Sequence, residues 1–217
     1  IKTFYIKSLL AFLMAFIKCR VFVMTLTDFN QFHLKRSVNP VHYVYVFHSM
    51  VSTHMMYLPD AFNHYDSILC LGYHHMEELR KYEEMKGLPQ KQLVTGGYYR
   101  LERIYDKCKK YLRTPSSEKY KVTVLIAPSW GKGNILESFG ELLVAMLLDR
   151  DFNVIIRPHP ETVKRTPELL DAIKEKYGDN KALTIESSVT TDDALLKSDV
   201  LICDCSGVAL EYAFGTE

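Results

Sequence analysis

The chain reads as an α/β protein built from two doubly wound parallel sheets. Three observations predict this. Helical and strand periods alternate along nearly all of its 217 residues. The strands VFVMTL, SILCL and VTVLIA are almost continuously apolar, as expected where helices cover both faces of a sheet. The alternation also stops once, at RTPSSEKYK (113–121), where Pro, Ser and charges replace apolar spacing, and then restarts. We therefore expect two domains, 1–115 and 116–217, each an incomplete block of one sheet and its helices.

In the first block the spacing predicts a helix over 3–18 and a strand over 21–26. A polar loop leads to a strand at 41–47 (VHYVYVF) and a broken helical stretch at 52–64. A strand at 67–71 precedes a charged amphipathic helix at 74–86, closed by Gly87, a residue suited to a left-handed helix end. A strand at 92–95, the turn Gly96-Gly97 and a helix at 99–112 complete the block. The second block opens with a strand at 122–127 and the turn PSWGKGN. A helix at 135–149 follows, with Leu136, Phe139, Leu142, Leu143, Met146 and Leu147 on one face. Then come a strand at 153–157, a helix at 166–177, a strand at 183–186, a helix at 191–198, a strand at 200–203 and a helix from about Val208.

Bulk properties exclude several classes. A net charge of +1 without a long basic run gives no nucleic-acid signature, and none is expected as a partner. The run Leu9 to Ile17, cut off by Lys18 and Arg20, is too short to span a bilayer and reads as a buried crossover helix. With no starting Met and an abrupt stop after a helix, the chain is expected to be a fragment. Of five cysteines only Cys203-x-Cys205 has metal-type spacing, with no second Cys or His pair to complete a site, and all five read as free thiols of a reducing compartment. Asp149-Arg150-Asp151 lies at the amino edge of a strand and reads as a solvated turn. His74-His75 and Glu77-Glu78 open a charged helix and read as a solvated face. No metal and no cofactor are expected.

Ligands of such sheets bind outside the carboxyl ends of the strands, so polar residues there carry the most weight. His48 ends HYVYVFH and is placed as a general base, or else as a strand-end cap. Arg157-Pro158-His159-Pro160 ends another strand; the prolines stiffen the turn and Arg157 and His159 share a side. That pair suits phosphate recognition, or a structural turn with a surface salt bridge. Asp204-Cys205-Ser206-Gly207 joins a strand to a helix, and small residues there let a phosphate reach amides at the positive end of the helix dipole. Ser129, Gly131 and the further candidates Trp130 and Lys132 form a Gly-rich basic loop without P-loop spacing. It is read as a phosphate or acceptor loop, with Trp130 alternatively a hydrophobic plug. Glu211, one turn into the last helix, would meet ribose hydroxyls or complement the helix dipole.

VLIAPSWG, IIRPHP and SDVLICDCSGVALEYAF, in that order, resemble the CDP-glycerol glycerophosphotransferase family, whose members build teichoic-acid-type polymers. The strand with His48 and VTGGYYRLERI match more loosely, and the resemblance covers about 40 to 217. It implies a GT-B fold: two Rossmann-like domains facing a cleft, acceptor side first and nucleotide donor second. It also implies His48 as base, His159 near the donor pyrophosphate, and Asp204, Ser206 and Glu211 at the donor, with Arg100 matching an arginine of a Gly-x-Pro-Arg turn; Arg157 and Gly207 join the donor set on the residue reading above. The sequence departs from the family pattern at Ser49, Tyr99, Cys205 and Gly207. The activity implied is transfer of glycerol phosphate, or a similar polyol phosphate, from a CDP-activated donor to a hydroxyl of a lipid-linked or polymeric acceptor. Such acceptors imply a cytoplasmic protein, peripheral on the inner face of the membrane. The alternatives are a UDP-sugar 2-epimerase or nucleotide-sugar glycosyltransferase sharing the fold, and a non-catalytic nucleotide-binding module.

Overall fold

Four short parallel strands, ordered as they occur in the chain, organise the first half. These are β1 (Val21–Met24), β2 (His42–Val46), β3 (Ser67–Cys70) and β4 (Gln92–Thr95). The structure is a computed structural model and describes residues 9–27, 29–31, 33–111, 121–188 and 192–216. Its two units are Ile1–Tyr98 and Tyr99–Glu217. Both are parallel-sheet, Rossmann-like units, the fold class the alternation of periods predicts.

In the first unit, β2 lies between β1 and β3, pairing Tyr45 with Met24 on one side and with Ile68 on the other. Its inward face carries Tyr43 and Tyr45, which with Phe29, Phe47, Phe62 and Tyr65 make an aromatic core. Tyr45 meets Phe47, Phe62 and Tyr65 edge-on at centroid distances of 4.9, 4.9 and 5.1 Å. Two short helices, α1 (Leu10–Met14) and α2 (Thr53–Met56), and the long α3 (Tyr73–Lys86) complete the unit. Gly87 ends α3 in the left-handed conformation at φ 61°. The broken stretch over 52–64 shrinks to the single turn of α2. Residues 1–8, the start of the expected first helix, lie outside the described residues. The rest is not the buried crossover helix expected: Met14 is buried, but Leu9, Phe12, Leu13 and Phe16 are exposed. No described element covers that side of α1, so an all-round apolar pattern did not translate into all-round burial.

The second unit has the strand order β7-β6-β5-β8, from β5 (Thr123–Ile126), β6 (Asn153–Ile156), β7 (Leu183–Ile185) and β8 (Val200–Ile202). The chain moves outward from β5 to β7, then returns to β8 on the other flank of β5. That reversal makes a topological switch point between β5 and β8. Helix α4 (Tyr99–Tyr111) belongs to this unit. Most of the expected linker, 113–120, lies outside the described residues. The remaining helices are α5 (Ile135–Asp149), α6 (Pro160–Arg165), α7 (Glu168–Tyr177), α8 (Asp193–Lys197) and α9 (Gly207–Gly215).

Two features fasten α4. Arg100, Arg103 and Lys107, spaced to share one face, surround the fully buried Asp192 at 3.5, 3.1 and 2.9 Å. At Gly215 of α9 an added Cβ would lie 2.7 Å from Ile104 Cγ2, so the two helices approach too closely for a larger residue. Helix α6 was not foreseen. His159 caps it and Pro160 takes its first turn, where a missing N–H costs nothing, so the prolines start a helix as well as stiffening a turn.

The four charged residues that open α3 do not form a uniformly solvated face. His75 is wholly buried against Phe47, with ring centroids 4.2 Å apart, and its Nε2 lies 2.9 Å from the Val51 carbonyl. Burial pushes its pKa below the usual histidine value, and burial acts the same way on His64. A depressed folded-state pKa means the stabilisation is complete above the unfolded value and shrinks as pH falls below it. Melting temperature should therefore hold steady above about pH 6.5 and drop on acidification towards about pH 5. His75→Phe should flatten that slope in thermal melts, leaving the contribution of His64.

Candidate functional site

In the first unit, His48 sits two residues beyond β2, at the carboxyl edge of the sheet, and is exposed. Its carbonyl accepts a hydrogen bond from the Tyr98 phenol at 3.2 Å. Among the described residues none bonds its imidazole.

In the second unit, the loops after β5, β6 and β8 carry most of the remaining candidates. Asp204 joins two of these loops across the switch point. Its Oδ1 accepts from the Ser129 N–H at 2.6 Å and its Oδ2 from the Ile135 N–H at 3.1 Å. It thus braces the Gly-rich loop at both ends, and both carboxylate oxygens are engaged. Between those ends Gly131 and Gly133 adopt φ 103° and 80°, a conformation open to glycine at little cost. Asn134 closes the loop by accepting from the Leu136 and Glu137 N–H groups as the N-cap of α5.

Ser206 is the N-cap of α9, its Oγ accepting from the Val208 N–H at 3.4 Å, and Gly207 is buried as the first helical residue. The amides of this bend lie at the positive end of a nine-residue helix. His159 caps α6 through Nδ1, which accepts from the Glu161 N–H at 3.1 Å. That bond fixes the neutral tautomer: the ring proton sits on Nε2, so His159 is oriented as a hydrogen-bond donor. Trp130 stacks on His159 with centroids 6.1 Å apart and lies under the Arg165 guanidinium at 5.4 Å. It is half-exposed, between two polar groups, which does not describe a hydrophobic plug. Lys132 is exposed beside it and, with Trp130, Gly131, Thr162 and Arg165, lines a cavity of about 200 Å³.

Arg157, immediately past β6, is the least ordinary residue of the set. It is only 8% exposed, yet among the described residues no hydrogen bond or ion pair ties its guanidinium. Burial, and then the nearby Arg100 cation, push its pKa below the usual arginine value, while Glu211, Glu186 and Asp192 oppose them. Arg100 and Glu211, two other candidates, meet each other: Arg100 Nε donates to Glu211 Oε2 at 2.9 Å. Glu211 is buried beneath this bond.

Sequence reasoning missed Asp192, the buried acid beneath Arg100. The cationic stripe on α4 was visible in the sequence as Arg100, Arg103 and Lys107. Its partner was not, because a pair of aspartates opening a helix reads as an exposed cap. Arg165 was missed too, since α6 itself was not foreseen.

Two Rossmann-like units in succession, with the polar loops at the carboxyl edges of their sheets, define the GT-B-like class. The model of the family CDP-Glycerol:Poly(glycerophosphate) glycerophosphotransferase matches residues 30–215, and the chain belongs to that family. Among solved structures, the UDP-GlcNAc 2-epimerase of Methanocaldococcus jannaschii in complex with UDP-GlcNAc and UDP is similar with a TM-score of 0.51 and 15% identity, over 80% of this chain and 51% of that one. The wall teichoic acid polymerase TagF has a TM-score of 0.48 and 19% identity, over 88% of this chain and 50% of that one. UDP-GlcNAc 2-epimerase from Neisseria meningitidis has 0.49 and 16%, over 77% and 49%. The chain thus spans about half the length of the solved structures it matches. At 15% identity the likeness to the Methanocaldococcus jannaschii epimerase speaks to the fold alone. No curated protein sequence matches the chain significantly.

The brace at Asp204 sets a measurable expectation. Asp204→Ala removes a charged acceptor from two backbone N–H groups and should destabilise the second unit by about 3 kcal/mol, the sum at the low end of the roughly 1.5–3 kcal/mol each such bond contributes. Urea denaturation should show a lower midpoint, and Asp204→Asn, which retains one acceptor oxygen, should fall between the two.

Proposed function

We propose that the protein transfers glycerol phosphate, or a similar polyol phosphate, from a CDP-activated donor to a hydroxyl of a polymeric or lipid-linked acceptor, releasing CMP. The observation that carries this reading is Arg157. Its guanidinium is nine-tenths buried, with Glu211, Glu186 and Asp192 near it but no described direct ion pair to any of them, and such burial is costly without a directly contacting anion. A donor diphosphate beside His159 and the Ser206–Gly207 bend would supply it. Membership of the glycerophosphotransferase family points to the same donor class.

The chemistry follows from the roles these side chains are fit for. The acceptor oxygen attacks the β-phosphorus of the donor, the bond from that phosphorus to the bridging oxygen breaks, and CMP carries the electron pair away. His48, exposed and without a described partner on its ring, takes the proton of the attacking hydroxyl. His159 donates from Nε2 to a phosphate oxygen, and Arg157 offers its fork of N–H groups to the diphosphate. Amides of the 206–207 bend add fixed positive ends of dipoles. Phosphoryl transfer asks chiefly for this combination of positioning and electrostatic stabilisation. Asp204 contributes by holding the Ser129–Gly131 loop, and the Arg100–Glu211 bond lies behind Arg157. Trp130 and Lys132 suit contact with the transferred polyol phosphate or the acceptor.

Acceptors of this kind place the reaction at the inner face of the cell membrane, with the protein peripheral. Among the described residues no helix is long and apolar enough to cross a bilayer.

Thermal protection distinguishes the donors. CDP-glycerol should raise the melting temperature of the full-length protein more than UDP-GlcNAc does; the reverse order would favour a UDP-sugar enzyme. His48→Ala should lower kcat by about 10²–10⁴-fold while leaving the affinity for CDP-glycerol within about twofold, the signature of an interaction made only in the transition state. Full turnover by that variant would reject His48 as the base, and absence of turnover in the unaltered protein would favour a binding module.

A further inference from the structure

We propose that His75 and Glu78 of α3 are positioning residues that hold His48 in place; the inference rests on the assignment of His48 as the proton acceptor. A base of this kind usually has its ring oriented by a carboxylate or carbonyl. Among the described residues none bonds the His48 imidazole, so its aim depends on the backbone that carries it. Upstream that backbone is fixed, because Phe47 is buried among Tyr45, Phe62 and Tyr57. Downstream, residues 49–52 have no regular structure and would otherwise leave His48 at the end of a loose arm.

Side chains distant in sequence tie that arm down. The Tyr98 phenol donates to the His48 carbonyl at 3.2 Å. His75 Nε2 lies 2.9 Å from the Val51 carbonyl, donating its ring proton. Glu78 takes the next two residues: its Oε1 accepts from Ser52 Oγ at 2.8 Å, and its Oε2 from both the N–H and Oγ1 of Thr53 at 2.5 Å. The same carboxylate lies 3.4 Å from His54 Nδ1. Burial works to raise the Glu78 pKa, but the hydroxyls of Thr53 and Ser52, the Thr53 N–H and His54 outweigh it, so the group is held charged.

The geometry explains why α3 is the element that does this. His75 and Glu78 are three residues apart and share one side of the helix. That helix starts directly after β3, which pairs with β2, so its first turns lie at the edge where His48 emerges. The buried histidine also packs at a tilt against Phe47, the residue before His48, and so touches the arm on both sides.

The test is a double-mutant cycle on kcat in the full-length protein, with CDP-glycerol as donor and poly(glycerol phosphate) as acceptor. Glu78→Ala should lower kcat about 100-fold, the scale of a small misplacement of a reacting group, with the KM for CDP-glycerol within about twofold. In a His48→Ala background it should cause no further loss. Thr53→Val, which keeps the shape and removes one bond, should act in the same direction by about fivefold and carries the cycle if Glu78→Ala does not fold. A folded Glu78→Ala or Thr53→Val with unaltered kcat overturns the inference, as does the same fold-loss in the His48→Ala background as in the unaltered protein. Unaltered kcat in His48→Ala alone instead removes the assignment of the base, and this inference with it.

Discussion

A single carboxylate sets the carboxyl edge of the second sheet. Asp204 leaves β8 and gives one oxygen to the amide of Ser129 and the other to the amide of Ile135, so the loop after β5 is gripped at both ends. Without that grip the two glycines at positive φ would leave the loop many conformations, and ordering them again would cost entropy at each binding event. The interaction is local, yet it spans the switch point where the strand order reverses. It therefore joins the two segments between which a ligand of such a sheet is held. The N-caps His159 and Ser206 stand on the neighbouring strand ends of the same framework.

The second unit treats its buried charges unequally. Asp192 is wholly buried and meets three cations from α4, and Glu211 meets Arg100. Removing a charge from water is tolerable there because each acid has close partners. Arg157 is buried with no described direct ion pair: its cationic neighbour Arg100 makes its position worse, and Glu211, Glu186 and Asp192 ease it. The paired acids hold α4 in place, whereas Arg157 lies near acids without a described direct bond to them.

Much of the fold was legible because burial on both faces leaves an unmistakable trace in the strands. VTVLIA and SILCL fall on β5 and β3 to within a residue or two at their ends. Short elements were harder. Helix α6 hid behind Pro160, since a proline after His159 reads as a stop when it is in fact a start. The aromatic and Met-rich stretch 52–64 carried helical spacing, but only Thr53–Met56 is helical. Of the candidate residues, the positions at strand ends could be named because the edge rule depends on order alone. Their partners could not. The pairing of Arg100 with Glu211 spans 111 positions, and the inward turn of His75 contradicts the charged residues around it. Sequence spacing reports which face a residue occupies, whereas hydrogen bonding depends on what the fold later brings opposite.

The tight seating of Gly215 on Ile104 bears on how the second unit is made. Helix α4 leaves the ribosome before any strand of the sheet it packs on, and its docking surface on α9 is translated about a hundred residues later, which makes this a contact of high order. Until then Ile104 and the three cations around Asp192 lack the partners they have in the folded unit. Closing so long a loop adds only a logarithmic entropy penalty. The delay is thus a matter of kinetics rather than of stability, set by the place of α4 in the chain.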